Sequence, residues 1–249
     1  MSSDAIAIIP ARLESGRLPR KVLLRETGKP LIQHVHESAS RSARVSRVVV
    51  ATDSEEVASA VRAFGGESVM TSRAHENGSS RIAEACEVLA LSDDTVVVNV
   101  QGDEPELDAA WIDRAADAMR IDGCAVGTVA STAMGRHEGG DPNVVKVVTD
   151  RSGRAMYFSR APIPWDREAI APGPSARHIG LYAYRVRTLR DYVAWEPTAL
   201  ERIEKLEQLR FLEHDVRIGV ALVDDPAHAG IDTPEQYKAF VERWRETNS

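Results

Sequence analysis

Cysteine is scarce in this chain: Cys86 and Cys124 are the 2 cysteines among 249 residues. That is too few for a disulfide framework or a cysteine-based zinc site. Both lie in apolar runs, so buried, unreactive thiols are expected. Aromatic side chains are few as well, at 5%. The core must then be built from Val, Ala, Ile and Leu, the residues that fill parallel strands buried on both faces. No apolar run approaches the ~20 residues that cross a bilayer, and the first four residues lack the basic and apolar segments of a secretory signal. A cytoplasmic protein with no membrane partner is expected. Positive charge is not in surplus either: the formal net charge is -7. Nucleic-acid phosphates demand a basic surface, so no nucleic-acid partner is expected, and an anionic ligand must be held by a local cluster.

Two nucleotide signatures are also missing. No GxGxxG follows the first apolar run, and no GxxxxGK[ST] occurs. Nicotinamide oxidoreduction and P-loop chemistry lose their main support.

What is present is an alternation of short β-branched runs with amphipathic stretches. Strands are expected at 5–10, 45–52, 67–70 and 95–100, with helices at 31–42, 54–64, 79–89 and 109–119 between and after them. Asp53 or Ser54 is the expected cap of the second helix, and Gly65-Gly66 its stop. This order argues for an α/β fold with a Rossmann-like, mostly parallel sheet. From about residue 121 the pattern changes. Short strands at 126–130, 144–149 and 155–158, then a returning strand at 179–184, suggest a smaller antiparallel β-rich insertion over about 121–185. Pro162, Pro164, Pro172 and Pro174 mark an irregular arm. Helices at 189–195, 199–213 and 234–247 and a strand at 216–223 complete the reading. Nothing reads as a flexible linker, so residues 1–249 are expected to form a single domain.

Three segments carry chemistry. The loop after the first strand holds Arg12, Arg17, Arg20 and Lys21, four cations where open α/β sheets bind ligands. A triphosphate needs such convergence, with Arg as a bidentate fork and Lys as a point charge. The alternative is a solvated basic loop. The second segment is Asn99-Val100-Gln101-Gly102-Asp103-Glu104-Pro105, which brings Asp103 to the same strand edge. A carboxylate there suits Mg²⁺, a hard cation that shares its oxygen ligands with phosphates. The third is Gly230 to Glu235, where Asp232 offers a second carboxylate, although Asp232 or Thr233 also reads as a helix cap before Pro234.

Taken in order, Pro10-Ala11-Arg12, Arg17-Leu18-Pro19 with Lys21, Asn99 to Pro105, Pro142-Asn143 with Lys146, Tyr157 to Arg160, Ile163 to Arg167, Arg177 to Tyr182, Leu206 to Arg210 and Asp232-Thr233-Pro234 resemble the 3-deoxy-D-manno-octulosonate (KDO) cytidylyltransferase family. The resemblance runs from about residue 5 to residue 240. It implies a Rossmann-like fold, CTP as donor, a small acidic sugar acceptor, two Mg²⁺ ions and a homodimer. It also implies that Arg12, Arg17 and Lys21 hold the CTP phosphates, with Asn77 and Gln101 at the nucleotide. Asp103 and Asp232 would bind magnesium. Arg81, Gln101, His178, Tyr182, Glu207 and Gln208 would face the acceptor, and Arg12, Lys21 and Asp103 would carry catalysis.

Some positions depart from the family pattern. Asn77 stands where the family has Ser, Ser80 where it has a carboxylate, Arg20 where it has Gly, and Val22 where it has Pro. A lost carboxylate and a gained cation both favour a more anionic ligand. That keeps open cytidylyl transfer to a small phosphonate such as phosphonoformate; an inactive nucleotide-binding regulatory relative is a separate alternative, against which the presence of both Asp103 and Asp232 argues.

Overall fold

The structure, a computed structural model, describes residues 5–14, 16–75, 77–135, 138–168, 175–226 and 230–248. The chain divides into two compact units, Met1–Ile112 with His228–Ser249, and Asp113–Ala227. In chain order the elements are β1 (Ala5–Ala11), α1 (Leu31–Ser40), β2 (Val45–Thr52), α2 (Glu55–Ala63), β3 (Glu67–Met70), α3 (Gly78–Val88), β4 (Val96–Asn99) and α4 (Ala109–Ala118). There follow β5 (Cys124–Ser131), β6 (Lys146–Thr149), β7 (Ala155–Ser159), β8 (Ala176–Arg185), α5 (Val186–Ala194), α6 (Ala199–Glu204), α7 (Gln208–Glu213), β9 (Arg217–Val223) and α8 (Pro234–Asn248).

In the first unit β3, β2, β1 and β4 lie side by side, all parallel. Ile8, Ile9, Val49, Val50, Val97 and Val98 are fully buried. Each such side chain withdrawn from water contributes about 1.5–3 kcal/mol, which is why these β-branched runs become central strands. The Ser54 hydroxyl caps α2 by accepting from Val57 N–H. Asp53 is not the cap; its carboxylate is used elsewhere. Gly65, at φ 82°, ends the helix as expected.

The C-terminal segment returns to the first unit. Tyr237, Phe240 and Val241 of α8 pack with Leu18, Leu31 and Ile231 in one buried cluster. Ile231 N–H donates to the Asp103 carbonyl at 2.8 Å. A buried isoleucine thus anchors the neighbouring Asp232 beside the turn after β4.

In the second unit β5 lies between β8, antiparallel, and β9, parallel, while β6 pairs antiparallel with both β7 and β8. The antiparallel expectation holds for β6 with β7, but β5 takes β8 as its antiparallel neighbour. α4 comes so close to β5 and β9 that a Cβ on Gly127 would lie 2.0 Å from the Ala115 carbonyl, and one on Gly219 2.2 Å from that of Ala118.

The single helix expected at 199–213 is two. Lys205 adopts φ 55°, ψ 47°, and α7 begins only at Gln208. Arg160 Nε donates to the Glu204 carbonyl at 2.8 Å, giving the end of α6 a tertiary partner. Cys86 is buried as expected, whereas Cys124 is only half-buried. The arm after β7 shows neither helix nor strand over 161–168, and its residues 169–174 lie outside the described residues. Among the described residues, no helix is long and apolar enough to cross a membrane.

Candidate active site

Strand β1 ends at Ala11, and the chain then crosses the carboxyl edge of the first unit's sheet. The same edge receives the turn after β4 and the start of α3. Together they line a cleft of about 330 Å³ that contains Arg12, Arg17, Lys21, Asn77, Arg81, Gln101, Asp103 and Asp232. Eight positions singled out from the sequence are therefore gathered in one place.

The turn after β4 depends on Gly102. A Cβ there would lie 2.8 Å from the Pro10 carbonyl, so only glycine lets the β1 and β4 loops approach this closely. Asp103 and Asp232 then converge on one cation. Lys21 Nζ donates to Asp103 Oδ2 at 2.8 Å and to Asp232 Oδ1 at 2.9 Å. Arg17 Nη2 donates to Asp232 Oδ2 at 2.7 Å. Lys21 is 8% exposed, so its ammonium depends on these carboxylates for the hydration it has lost. The cap ambiguity at Asp232 is resolved by the hydrogen bonds. Thr233 Oγ1 accepts from Gln236 N–H, and Gln236 Oε1 accepts from Asp232 N–H, which leaves the Asp232 carboxylate to the cations.

Asn77 caps α3, its Oδ1 accepting from Ser80 N–H at 2.9 Å. The positive end of an 11-residue helix therefore opens on the cleft, a favourable place for an anion. Arg81 is buried, with Nη1 on Thr71 Oγ1 at 2.7 Å and Nη2 on Asp53 Oδ2 at 2.8 Å. These anchors fix the guanidinium at the cleft wall. Gln101 Nε2 donates to Asn99 Oδ1 at 3.2 Å. His75, also in the wall, pairs with Glu84. Burial alone would raise the Glu84 carboxyl, but hydrogen bonds from His75 and Ser72 N–H hold it below its ordinary value.

Among the described residues no group of three or more His, Cys, Asp or Glu side chains is placed to hold a metal ion. The cleft instead offers two carboxylates that already converge on a cation. That donor set fits a hard divalent ion shared with phosphate oxygens better than a cage made wholly of protein.

The remaining expected residues belong to the second unit. His178 and Tyr182 lie on β8 with ring centroids 5.4 Å apart, and Phe158 meets His178 edge to face at 4.9 Å. Burial pushes the His178 imidazole down to about 3. Burial, and then the nearby Glu207 carboxylate, hold the Tyr182 hydroxyl well above its ordinary value. Glu207 and Gln208 stand at the start of α7, just after the Lys205 break. Gln208 is 4% exposed, and its Nε2 has no hydrogen-bond partner among the described residues. A buried amide N–H left open in this way costs about 1–3 kcal/mol unless a ligand or water meets it.

Some residues that shape these sites went unmarked in the sequence: Asp53 as the anchor of Arg81, Glu84 as the partner of His75, and Thr128 beside His178. Asp53 could have been found from its place directly after β2, on the ligand-binding edge. Thr128 is an ordinary strand residue and carries no such signal.

A mostly parallel α/β sheet with a cation-and-carboxylate cleft at its carboxyl edge is the framework of a nucleotide-using transferase. A cytidylyltransferase family model matches residues 6–218, and the chain belongs to that family. Among solved structures it is similar to a CMP:2-keto-3-deoxy-manno-octonic acid synthetase in complex with CTP. The identity is 38%, over 98% of this chain and 100% of that one, with a TM-score of 0.92. A cytidylyltransferase from Leptospira borgpetersenii serovar Hardjo-bovis shares the fold at 16% identity and a TM-score of 0.61, over 95% of this chain and 84% of that one. A 4-diphosphocytidyl-2C-methyl-D-erythritol synthase from Anaerococcus prevotii does so at 13% identity and 0.62, over 98% and 99%.

Proposed function

We propose that residues 1–249 act as one nucleotidyltransferase, moving CMP from CTP to KDO or a closely related 2-keto sugar acid and releasing pyrophosphate. The observation that carries this reading is the bracket of Lys21 between Asp103 and Asp232, in a cleft that also holds Arg12, Arg17, Asn77 and Gln101. The 38% identity to a CTP-bound synthetase over nearly the whole chain supports the choice of donor and acceptor.

Phosphoryl-type transfer depends on positioning and charge neutralisation more than on covalent help from the protein. Arg12, Arg17 and Lys21 draw the triphosphate into the cleft, and the N-terminus of α3 adds its dipole. An acceptor hydroxyl oxygen bonds to the α-phosphorus as the bond to the bridging oxygen of the β-phosphate breaks. Arg12 and Lys21 stabilise the negative charge that collects on the departing pyrophosphate. Arg81 and Gln101 line the cleft of the first unit, and His178, Tyr182, Glu207 and Gln208 of the second unit are assigned to the acceptor. Asp103 and Asp232 would hold Mg²⁺, which when bound supplies further charge neutralisation on the phosphates and acidifies a coordinated hydroxyl.

The guanidinium of Arg20 pairs with Glu56, which offsets the extra cation. Ser80, where the family pattern has a carboxylate, turns its hydroxyl back to the Asn77 carbonyl at 3.2 Å. The Arg20–Glu56 pair favours the sugar acid over phosphonoformate. A homodimer is part of the proposal. Trp165 at 81%, Met156 at 64% and Ile203 at 78% exposure are large apolar side chains of the second unit that pairing would cover. A cytoplasmic location belongs to the same reading.

The test is pyrophosphate release with CTP and Mg²⁺, with KDO and phosphonoformate in parallel. Release with KDO supports the proposal. Release with phosphonoformate alone replaces the acceptor, and release with neither acceptor removes the reading.

A further inference from the structure

Thr128 lies on β5 with no exposed surface. Its Oγ1 is 2.7 Å from the Leu181 carbonyl, 3.4 Å from that of Ile179 and 3.0 Å from His178 Nε2. The pairing of β5 with β8 is irregular at this point. Thr128 faces Tyr182 and Val129 faces Ile179, so Gly180 and Leu181 are extra residues on β8. Such bulges re-aim neighbouring groups, and here the Leu181 carbonyl meets the Thr128 hydroxyl.

A hydroxyl has one proton to give. The carbonyl can only accept, so the 2.7 Å contact takes that proton; any other assignment sets oxygen lone pairs against each other. Thr128 Oγ1 must then accept from His178 Nε2, and Nε2 must carry a hydrogen. The imidazole is neutral, its pKa driven down to about 3 by burial. A neutral ring with its hydrogen on Nε2 has a bare lone pair at Nδ1. Among the described residues Nδ1 has no hydrogen-bond partner, and the Phe158 and Tyr182 rings flank the imidazole at centroid distances of 4.9 and 5.4 Å.

We propose that Thr128 is a positioning residue that fixes His178 as a hydrogen-bond acceptor at Nδ1, so that the acceptor site reads a hydroxyl group and not an anionic oxygen. The proposal rests on the reading that His178 faces the acceptor substrate. A group meeting Nδ1 must donate. A sugar hydroxyl does so. The ionised oxygens of a phosphonate or carboxylate present lone pairs to a lone pair. Sites built around a hydrogen bond disfavour analogues that lack the matching group, and here the mismatch sets one lone pair against another. The pair therefore selects a polyhydroxylated acid over a small, fully ionised phosphonate, and it does so without a charged side chain.

The experiment combines ¹⁵N histidine NMR with acceptor kinetics. In the wild type at neutral pH, the expected spectrum shows His178 protonated at Nε2 and bare at Nδ1. Thr128→Val keeps the branched shape but removes the hydroxyl. It is expected to raise the KM for KDO about tenfold, the worth of one hydrogen bond, to leave the KM for CTP unchanged, and to scramble the tautomer. Thr128→Ser is expected to restore both readouts, which separates positioning from mere loss of folding. A proton on Nδ1 in the wild type, an unchanged acceptor KM in Thr128→Val, or a preference for phosphonoformate would each overturn the proposal. Failure of the underlying reading looks different. The wild type would then release no pyrophosphate with the sugar acid, and the substrate half of the inference would fall with it. The tautomer would still be decided by the NMR signal.

Discussion

The cleft of the first unit gathers full charges, and the β8 cluster of the second unit suppresses them. Lys21, Arg17, Asp103 and Asp232 hold each other within 2.9 Å at the edge of a parallel sheet. His178 and Tyr182 are instead kept neutral by burial. The contrast follows from the chemistry assigned to each. A triphosphate and a metal ion bring charge with them, so their site must carry compensating charge beforehand. A sugar is read through hydroxyl groups, and neutral donors and acceptors do that without paying to desolvate an ion.

The largest expected effect breaks the charged side of the comparison. Asp103→Asn removes a carboxylate from Lys21 and from the proposed metal site, and should lower kcat by at least about 10²–10³-fold. Folding should survive, which a thermal melt checks alongside steady-state rates. Retention of most activity would take Asp103 out of the metal site. Lys21→Gln should separate two functions that the ion pair couples. With the internal cation gone, the paired carboxylates should bind free Mn²⁺ more tightly in a paramagnetic titration, while CTP binds about tenfold or more weakly. Metal affinity that does not change would mean the carboxylates are not the metal's ligands.

The neutral side makes a pH prediction. His178 titrates at 6.5 in the unfolded chain and at about 3 when folded, so the unfolded state takes up a proton that the folded state refuses. The stabilising contribution is complete above about pH 6.5 and is lost as pH falls toward 3, at up to about 1.4 kcal/mol per pH unit. His34 and His36, lowered mainly by burial, add the same sign. His178→Asn should flatten the fall in urea midpoint between pH 6.5 and 5; an unchanged slope would place the effect elsewhere. The smallest effect concerns Arg20, held at φ 57°. Glycine adopts that backbone freely, so Arg20→Gly should gain about 0.5–1 kcal/mol, less whatever the exposed Glu56 pair contributes. A loss of stability would show that the pair outweighs the strain.

Much of the first unit was legible in the sequence because physics marks it twice. Its strands are β-branched runs buried on both faces, and its chemistry follows directly where those strands end, at Arg12 and at Asp103. The less legible parts are tertiary. The break at Lys205 carries no glycine or proline, and the carbonyl just before it is met by Arg160, which is distant in sequence. The boundary between the units, after Ile112, falls inside α4, where composition does not change. The partner of Arg81 is Asp53, whose position before Ser54 reads locally as a helix cap. The Thr128–His178 contact needs the irregular β5–β8 register, which no local pattern announces.

The central claim is that charge in the cleft serves the nucleotide while the neutral cluster serves the acceptor. The most direct measurement is the pair of KM values, for CTP and for KDO, in Lys21→Gln and His178→Asn side by side. The expected result is a crossed pattern, with Lys21→Gln raising the KM for CTP and His178→Asn raising that for the sugar acid. If both variants raised the same KM, or if His178→Asn weakened CTP alone, the division of labour would be contradicted.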